Sequence, residues 1–438
     1  MGLCYFGNHG RFNHMRTLPA LAAALGLLSL AAPGLAATPP RAAVERIASV
    51  IEANYFDAEK ARAVAADLRA AAAKGEFDAL TDPRDLTTTL TGRLQPLDHH
   101  FAVTWSDPAQ AAASPQAAPR QATPSTDRIS NYGFRRLEML PEGVAYIDLR
   151  GFSDIDFSNP RDPARHAADA ALDFAAEADA VIVDLRENGG GSTAMVGYLT
   201  SAFTRPDADI YNTFHGRGAT FNERPGVSRA NPRLDTPVYI LTSGRTGSAA
   251  EALAYTLQSA GRAKTVGEAS AGAANPGGFF PAGEGLTIFV STGAPTNPIT
   301  HRNWEGAGVQ PDIAVPAATA LRRARLAALE TILAKPGAPT EARWAQETLR
   351  AEATAPTVDL AAYAGTFGAA VVAVQDGRLT VQRARRPIWV LTPLGGDLFT
   401  VVDDSTRRVR FERNAAGAIT AVEQSFASGA SVRFLRGV

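Results

Sequence analysis

The segment Leu241-Thr242-Ser243-Gly244-Arg245-Thr246-Gly247-Ser248-Ala249-Ala250-Glu251 decides how this chain is read. The apolar run Val238 to Leu241 has the character of a buried strand, and the Ser/Gly-rich residues after it form a turn. From Ser248 the pattern becomes helical, with small residues followed by Leu253, Ala254 and Leu257. A serine at such a strand-to-helix turn can project its hydroxyl into a cleft. The first helical N–H groups lack intrahelical partners and can hold an anion. That geometry suits an acyl-transfer nucleophile. Serine is also favoured as a helix N-cap, so the turn alone fits both uses.

Outward from this turn the same order repeats. Val144 to Leu149 reads as a strand and His166 to Ala178 as an alanine-rich helix; Ala180 to Leu185 is a continuous apolar strand and Ser192 to Phe203 a helix. Buried strands alternating with helices imply an α/β layer. Between Thr265 and Val290 the signal is of strands separated by glycine. Upstream, Arg41 to Leu97 reads as small helices, with Val44, Ile47 and Ile51, Val64 and Leu68, and Leu86 and Leu90 at helical spacing. Asp98 to Trp105 reads as a short strand, and Ser106 to Asp127, rich in Ala, Pro, Gln and Ser, as a flexible linker. Ala317 to Leu333 and Thr340 to Ala351 are helical. Beyond them short strands such as Val371–Val374, Leu379–Val381, Phe399–Val402 and Val432–Phe434, with turn pairs Asp376-Gly377 and Gly395-Gly396, suggest a small antiparallel barrel or sandwich. The expected organisation is a signal peptide over 1–37, a helical subdomain over 38–105 ending in the His-bearing strand, and a linker over 106–128. A core over 129–316, a helical connector over 317–355 and a β domain over 356–438 complete it.

Composition narrows the function. The 438 residues are 45% hydrophobic and 20% charged, with a net charge of -1, which fits a globular protein and gives no reason to expect nucleic acid or an anionic membrane as partner. Arg16, the apolar run Leu18 to Leu30 and the small residues Gly34-Leu35-Ala36-Ala37 read as an export signal. The run is short for a spanning helix, so stable membrane insertion is not expected. The destination is the periplasm or the exterior. Cys4 is the only cysteine and lies before that run, so the mature chain is expected to have no disulfide, thiol nucleophile or thiolate metal site.

Three further motifs carry chemistry. Asp184-Leu185-Arg186-Glu187-Asn188-Gly189-Gly190-Gly191-Ser192 places three glycines after a buried strand, where they can take positive φ and approach a ligand. No Lys-Ser/Thr follows, as a phosphate-binding Walker loop requires, and a plain turn is the other reading. Asp98-His99-His100-Phe101 sets two histidines on opposite faces of a strand, so that one of them can serve a given cleft; the companions of a metal site are missing. Asn303-Trp304-Glu305-Gly306 offers either a buried orienting carboxylate or a turn with a surface acid.

Taken together, His100, Gly189 to Gly191, Ser248 and Glu305 occur in an order that resembles the tail-specific (C-terminal processing) serine peptidase superfamily, which has a Clp/crotonase-like core. Within it the chain is most similar to the branch of the tricorn core protease and interphotoreceptor retinoid-binding protein. Val266-Gly267-Glu268 and Val309-Gln310-Pro311-Asp312 belong to the same match, which runs from about Arg41 to Pro316. The resemblance implies an α/β fold with an N-terminal helical subdomain. It makes Ser248 the nucleophile, His100 the general base and Glu305 the group that orients or polarises it. The N–H groups of Ala249 and of Gly191, or else Gly190, would form the oxyanion hole. Gly189, Phe279 and Phe280 would line the substrate cleft, with no metal and no organic cofactor. The superfamily's other branch uses a Ser–Lys dyad; here Ala271-Gly272-Ala273 stands where that lysine belongs.

Two features depart from the pattern. His99 precedes the base where relatives carry a smaller residue, and the interval from Trp105 to Tyr132 is too short for a PDZ domain. The expected function is an exported serine endopeptidase that cleaves flexible or unfolded segments of peptide or protein substrates. The alternative is a catalytically silent protein that binds hydrophobic ligands or peptides on the same fold.

Overall fold

The computed structural model describes residues 39–108 and 124–437. The expected signal peptide and most of the expected linker lie outside these residues. The linker's last turn, Pro124–Ile129, is helical.

The N-terminal part packs three helices, α1 (Pro40–Asn54), α2 (Ala58–Ala73) and α3 (Pro83–Leu94). Asp57 and Asp82 cap the second and third by accepting hydrogen bonds from first-turn N–H groups. The apolar residues spaced three and four apart meet in one cluster: Val44, Ile47 and Ile51 against Val64, Leu68, Leu86 and Leu90. The cluster is closed by a small sheet in which β1 (Ala102–Trp105) pairs antiparallel with a hairpin from far along the chain, β9 (Gly277–Gly283) and β10 (Leu286–Ser291), in the order β1-β10-β9. Ile288 and Val290 of that hairpin complete the helical core. The helical subdomain therefore does not end at residue 105; it borrows fifteen residues from the middle of the chain to bury its apolar face.

The central layer is a six-stranded sheet. β2 (Phe134–Met139) is antiparallel to β3 (Val144–Leu149), and β3, β4 (Ala180–Asp184), β7 (Val238–Thr242), β8 (Ala263–Gly267) and β12 (Ile313–Ala314) run parallel in the order β12-β8-β7-β4-β3-β2. Successive side chains point to opposite faces, and both faces are covered, so the inner strands β3, β4 and β7 are buried along their whole length. Val181, Val183, Val238 and Ile240 pack against the helices Pro163–Phe174, Thr193–Ser201 and Ala249–Ser259. Ala180, Ile182, Tyr239 and Leu241 pack against Ala317–Leu333 and Thr340–Thr354 on the other side. A small sheet of β5 (Thr213–Gly216), β6 (Thr220–Asn222) and β11 (Gly293–Thr296), in the order β11-β5-β6, lies outside the sequence expectation.

The C-terminal part is a meander of eight antiparallel strands, β13 (Gly365–Phe367) through β20 (Ser431–Leu435), each paired with the next. A bridge between Phe367 and Arg436 brings its two edges together, making a nearly closed barrel around Phe367, Leu379, Val381, Phe399, Val409 and Phe411. Buried Arg408 joins it to the last long helix: its guanidinium donates to the Trp344 carbonyl at 2.5 Å and lies over the Trp344 ring. No helix among the described residues is long and apolar enough to cross a membrane.

Candidate active site

In a parallel sheet every strand delivers its following loop to the same edge, which is where sites form. Here the loops after β4 and β7 meet. Asp184, at the end of β4, accepts hydrogen bonds from Tyr146 and Arg186 and pins the start of the glycine turn. Asn188, fully buried, ties that turn to both neighbours. Its amide donates to the Leu149 carbonyl at 3.0 Å, and its own carbonyl accepts the Gly247 N–H at 3.0 Å.

Ser248 follows, exposed, at φ 52° and ψ -120°. A non-glycine residue held at positive φ costs about 1–3 kcal/mol, and such strain collects at functional turns. Two features hold Ser248 there. Gly190, at φ 113°, comes so close that a Cβ on it would stand 2.7 Å from the Ser248 Cβ and 3.0 Å from the Ala249 nitrogen. Glu251 reaches back to accept the Ser248 N–H at 2.7 Å.

The oxyanion-hole candidates separate on hydrogen bonding. Gly190 donates its N–H to the Asn188 side chain at 2.9 Å. The Gly190 carbonyl accepts from Phe152 at 3.0 Å. Because a trans peptide sets C=O and N–H in opposite directions, the Gly191 N–H is turned away from Phe152 and has no partner among the described residues. Ala249 is the first residue of its helix, and its N–H has no intrahelical acceptor.

His100 is brought in by the other part of the chain. It lies on a turn before β1, not on the strand expected to carry it. Asp98 causes this: its Oδ1 accepts the His100 backbone N–H at 2.9 Å, and such a local bond bends the backbone away from an extended path. The same Oδ1 lies 3.0 Å from His100 Nδ1, and Glu305 Oε1 lies 3.5 Å from that nitrogen. The ring stacks on Phe289 of β10, with 5.9 Å between centroids. Burial opposes the charge on His100, but its hydrogen bond to Asp98 and the negative charges of Asp98 and Glu305 outweigh it and raise its pKa to about 9. Burial also opposes the charge on Asp98, yet the bonds from His100 and Ser291 keep it well below the usual carboxylate range.

Base and nucleophile are linked by the loop Ser270–Asn275. Glu251, buried, accepts from Ser270 Oγ and Gly272 N–H at 2.6 Å each and from Ala273 N–H at 2.9 Å. Burial pushes its carboxyl above the usual range, against these donors. Glu305 Oε2 accepts the next two N–H groups, Ala274 at 2.8 Å and Asn275 at 3.1 Å. Ser248 and His100 are thus held through two carboxylates on one loop, and among the described residues no hydrogen bond joins them directly. Of the expected cleft residues, Gly189 is exposed beside the turn, and its carbonyl lies 3.5 Å from where a Gly247 Cβ would stand. Phe279 is 62% exposed and meets Phe289 edge to face, whereas Phe280 packs on the helical core. Successive residues of β9 face opposite ways, so the two phenylalanines do not share a surface.

Sequence reasoning did not single out Asp98 or Glu251. Both stand inside quoted motifs, two residues before His100 and three after Ser248, and that spacing was the available signal. Asp98, His100 and Glu305 bring three potential metal-ligand atoms within 4.8 Å of one another. Both Asp98 oxygens and Glu305 Oε2 are, however, already committed to hydrogen bonds that serve the histidine and the loop.

Similarity to known proteins points to one family. Residues 143–315 match the model of peptidase family S41, and residues 19–132 match the N-terminal domain of that family as found in eukaryotic IRBP. The chain belongs to the S41 peptidase superfamily. It is 30% identical over 139 residues to a carboxyl-terminal-processing protease of Picosynechococcus sp., a stretch covering 32% of each chain. It is 28% identical over 180 residues to the chloroplastic carboxyl-terminal-processing peptidase 1 of Arabidopsis thaliana, covering 40% of this chain and 35% of that one. The matches span about a third of the length of these curated relatives. Among solved structures, the photosystem II D1 C-terminal processing protease is 14% identical with a TM-score of 0.43, covering 69% of this chain and 99% of that one.

Proposed function

We propose that this chain is an exported serine endopeptidase that cleaves flexible peptide segments through an acyl-enzyme. The observation that carries the reading is the Ser248 turn: an exposed hydroxyl on a strained residue, beside two backbone N–H groups without partners. Ser248 Oγ attacks the scissile carbonyl carbon and its proton passes to His100 Nε2, the ring nitrogen that faces away from Asp98 and Glu305. The carbonyl oxygen becomes an oxyanion held by the Ala249 and Gly191 N–H groups. As the C–N bond breaks, His100 returns the proton to the departing amine. Water then attacks the ester, giving its proton to His100, and Ser248 is regenerated. The Ser248–His100 hydrogen bond closes as substrate docks, a step that commonly tightens resting geometry. Export rests on the sequence run Leu18 to Leu30.

A fluorophosphonate probe tests the assignment. Wild-type protein labels at Ser248, Ser248→Ala abolishes labelling, and His100→Ala slows it by about 10²-fold or more. A folded wild type that stays unlabelled at alkaline pH overturns the peptidase reading in favour of the silent binding protein.

A further inference from the structure

Two carboxylates reach the same nitrogen of His100, and their surroundings differ. Asp98 is almost fully buried, with its side chain 1% exposed, and it is held at three points. Oδ1 takes the His100 backbone N–H at 2.9 Å and lies 3.0 Å from Nδ1, while Oδ2 accepts Ser291 Oγ from β10 at 2.8 Å. Glu305 has its side chain 23% exposed. Its Oε2 is committed to the Ala274 and Asn275 N–H groups, and its Oε1 stops 3.5 Å from Nδ1 with no hydrogen-bond partner. A contact at 3.5 Å is at the outer edge of a hydrogen bond, whereas 3.0 Å is near its optimum.

We propose that Asp98 is the positioning carboxylate of the His100 base, and that Glu305 chiefly holds the loop between base and nucleophile. The assignment rests on the peptidase reading and divides between two residues a role that one was expected to fill. An ionised Asp98 can only accept, so Nδ1 carries the proton and Nε2 is left to receive the one from Ser248. Because the same Oδ1 also takes the backbone N–H of His100, side chain and main chain are located by one atom. The Ser291 contact, made to Oδ2, fixes the carboxylate in turn and binds the base to the β9–β10 hairpin. The other groups near the ring are the Tyr55 hydroxyl, kept protonated by burial and by Asp98, and His99 beside Gly306.

The experiment compares Asp98→Asn, Glu305→Gln and Ser291→Ala in the full chain. Proton NMR follows the low-field Nδ1–H signal of His100, and peptide hydrolysis follows kcat and KM across pH. Asp98→Asn is expected to lose the low-field signal and to lower kcat by about 10²–10⁴-fold with little change in KM. Glu305→Gln keeps the signal, lowers kcat by about 10-fold or less and acts mainly on KM through the loop. Either substitution removes a negative charge from the histidine and moves the ascending limb of kcat/KM to lower pH, which a purely structural defect would not do. Ser291→Ala loses only the outer support and lowers kcat by about 3–10-fold, so the test survives if Asp98→Asn does not fold. The proposal is overturned if Asp98→Asn retains signal and kcat while Glu305→Gln loses both. The NMR arm needs no turnover, so a protein that shows the signal but no hydrolysis separates failure of the peptidase reading from failure of this one.

Discussion

The central sheet and the C-terminal barrel are both built of short apolar strands, yet they gather their loops differently. In the barrel, each strand pairs with its neighbour in sequence, so its turns join adjacent strands and scatter to both rims. In the central sheet the five parallel strands β12-β8-β7-β4-β3 send the loops that follow them to one edge. There residues far apart in sequence meet around Ser248: Asn188 accepts the Gly247 N–H, and Ser270 donates to Glu251. The barrel spends its length on a closed core; the sheet, with the same strand chemistry, builds a place where three loops constrain one another. Convergence of loops, more than strand content, separates a site from a support.

Substitutions in the two regions can break that contrast. The largest effect is expected from Gly190→Ala. Its Cβ would stand 2.7 Å from the Ser248 Cβ at φ 113°, so the nucleophile turn must shift. Misplacement of that order costs about 10²-fold or more in kcat/KM, read by peptide hydrolysis, while far-ultraviolet circular dichroism stays native. Leu379→Ala in the barrel should behave the opposite way. This fully buried residue leaves a cavity that costs about 3 kcal/mol in denaturant unfolding, with kcat of the folded fraction unchanged. Loss of kcat without loss of stability there would make the barrel part of the catalytic unit.

The smallest effect sharpens the boundary inside the core. Glu223 is buried, and burial raises its pKa from 4.5 to about 7 against the bonds from Thr256 and Asn212. The folded state therefore holds the proton longer than the unfolded chain. Stability from this group is greatest below pH 4.5 and is lost as pH rises to about 7. Glu223→Gln should remove that decline in urea titrations at several pH values and leave the pH dependence of hydrolysis unmoved.

The residues that could be read from sequence were those whose local pattern already matched their job. The strand-to-helix change at Ser248, the glycines after β4 and the alternating apolar runs of the sheet are local signals, and the structure has elements there. Where partners come from afar, pattern was silent. Glu251 looks like an ordinary first-turn acid until Ser270, Gly272 and Ala273 arrive to bury it. The strand expected over Asp98 to Trp105 forms only at Ala102–Trp105, because an aspartate side chain can capture the N–H two residues on. In the barrel, β19 (Ile419–Phe426) was overlooked because Ala421, Gln424 and Ser425 dilute its alternation. Strand order is likewise invisible, because parallel neighbours need not be neighbours in sequence.

The hairpin β9–β10 completes the helical core around His100, although it is encoded after Ser248. In a growing chain the base emerges first, the nucleophile later, and the two strands and loop that unite them later still. No product of synthesis that ends before Ser291 contains a finished His100 setting beside the Ser248 turn. On the peptidase reading the order of the chain is a safeguard, since hydrolytic power arrives only after the three N-terminal helices and most of the central sheet have been made.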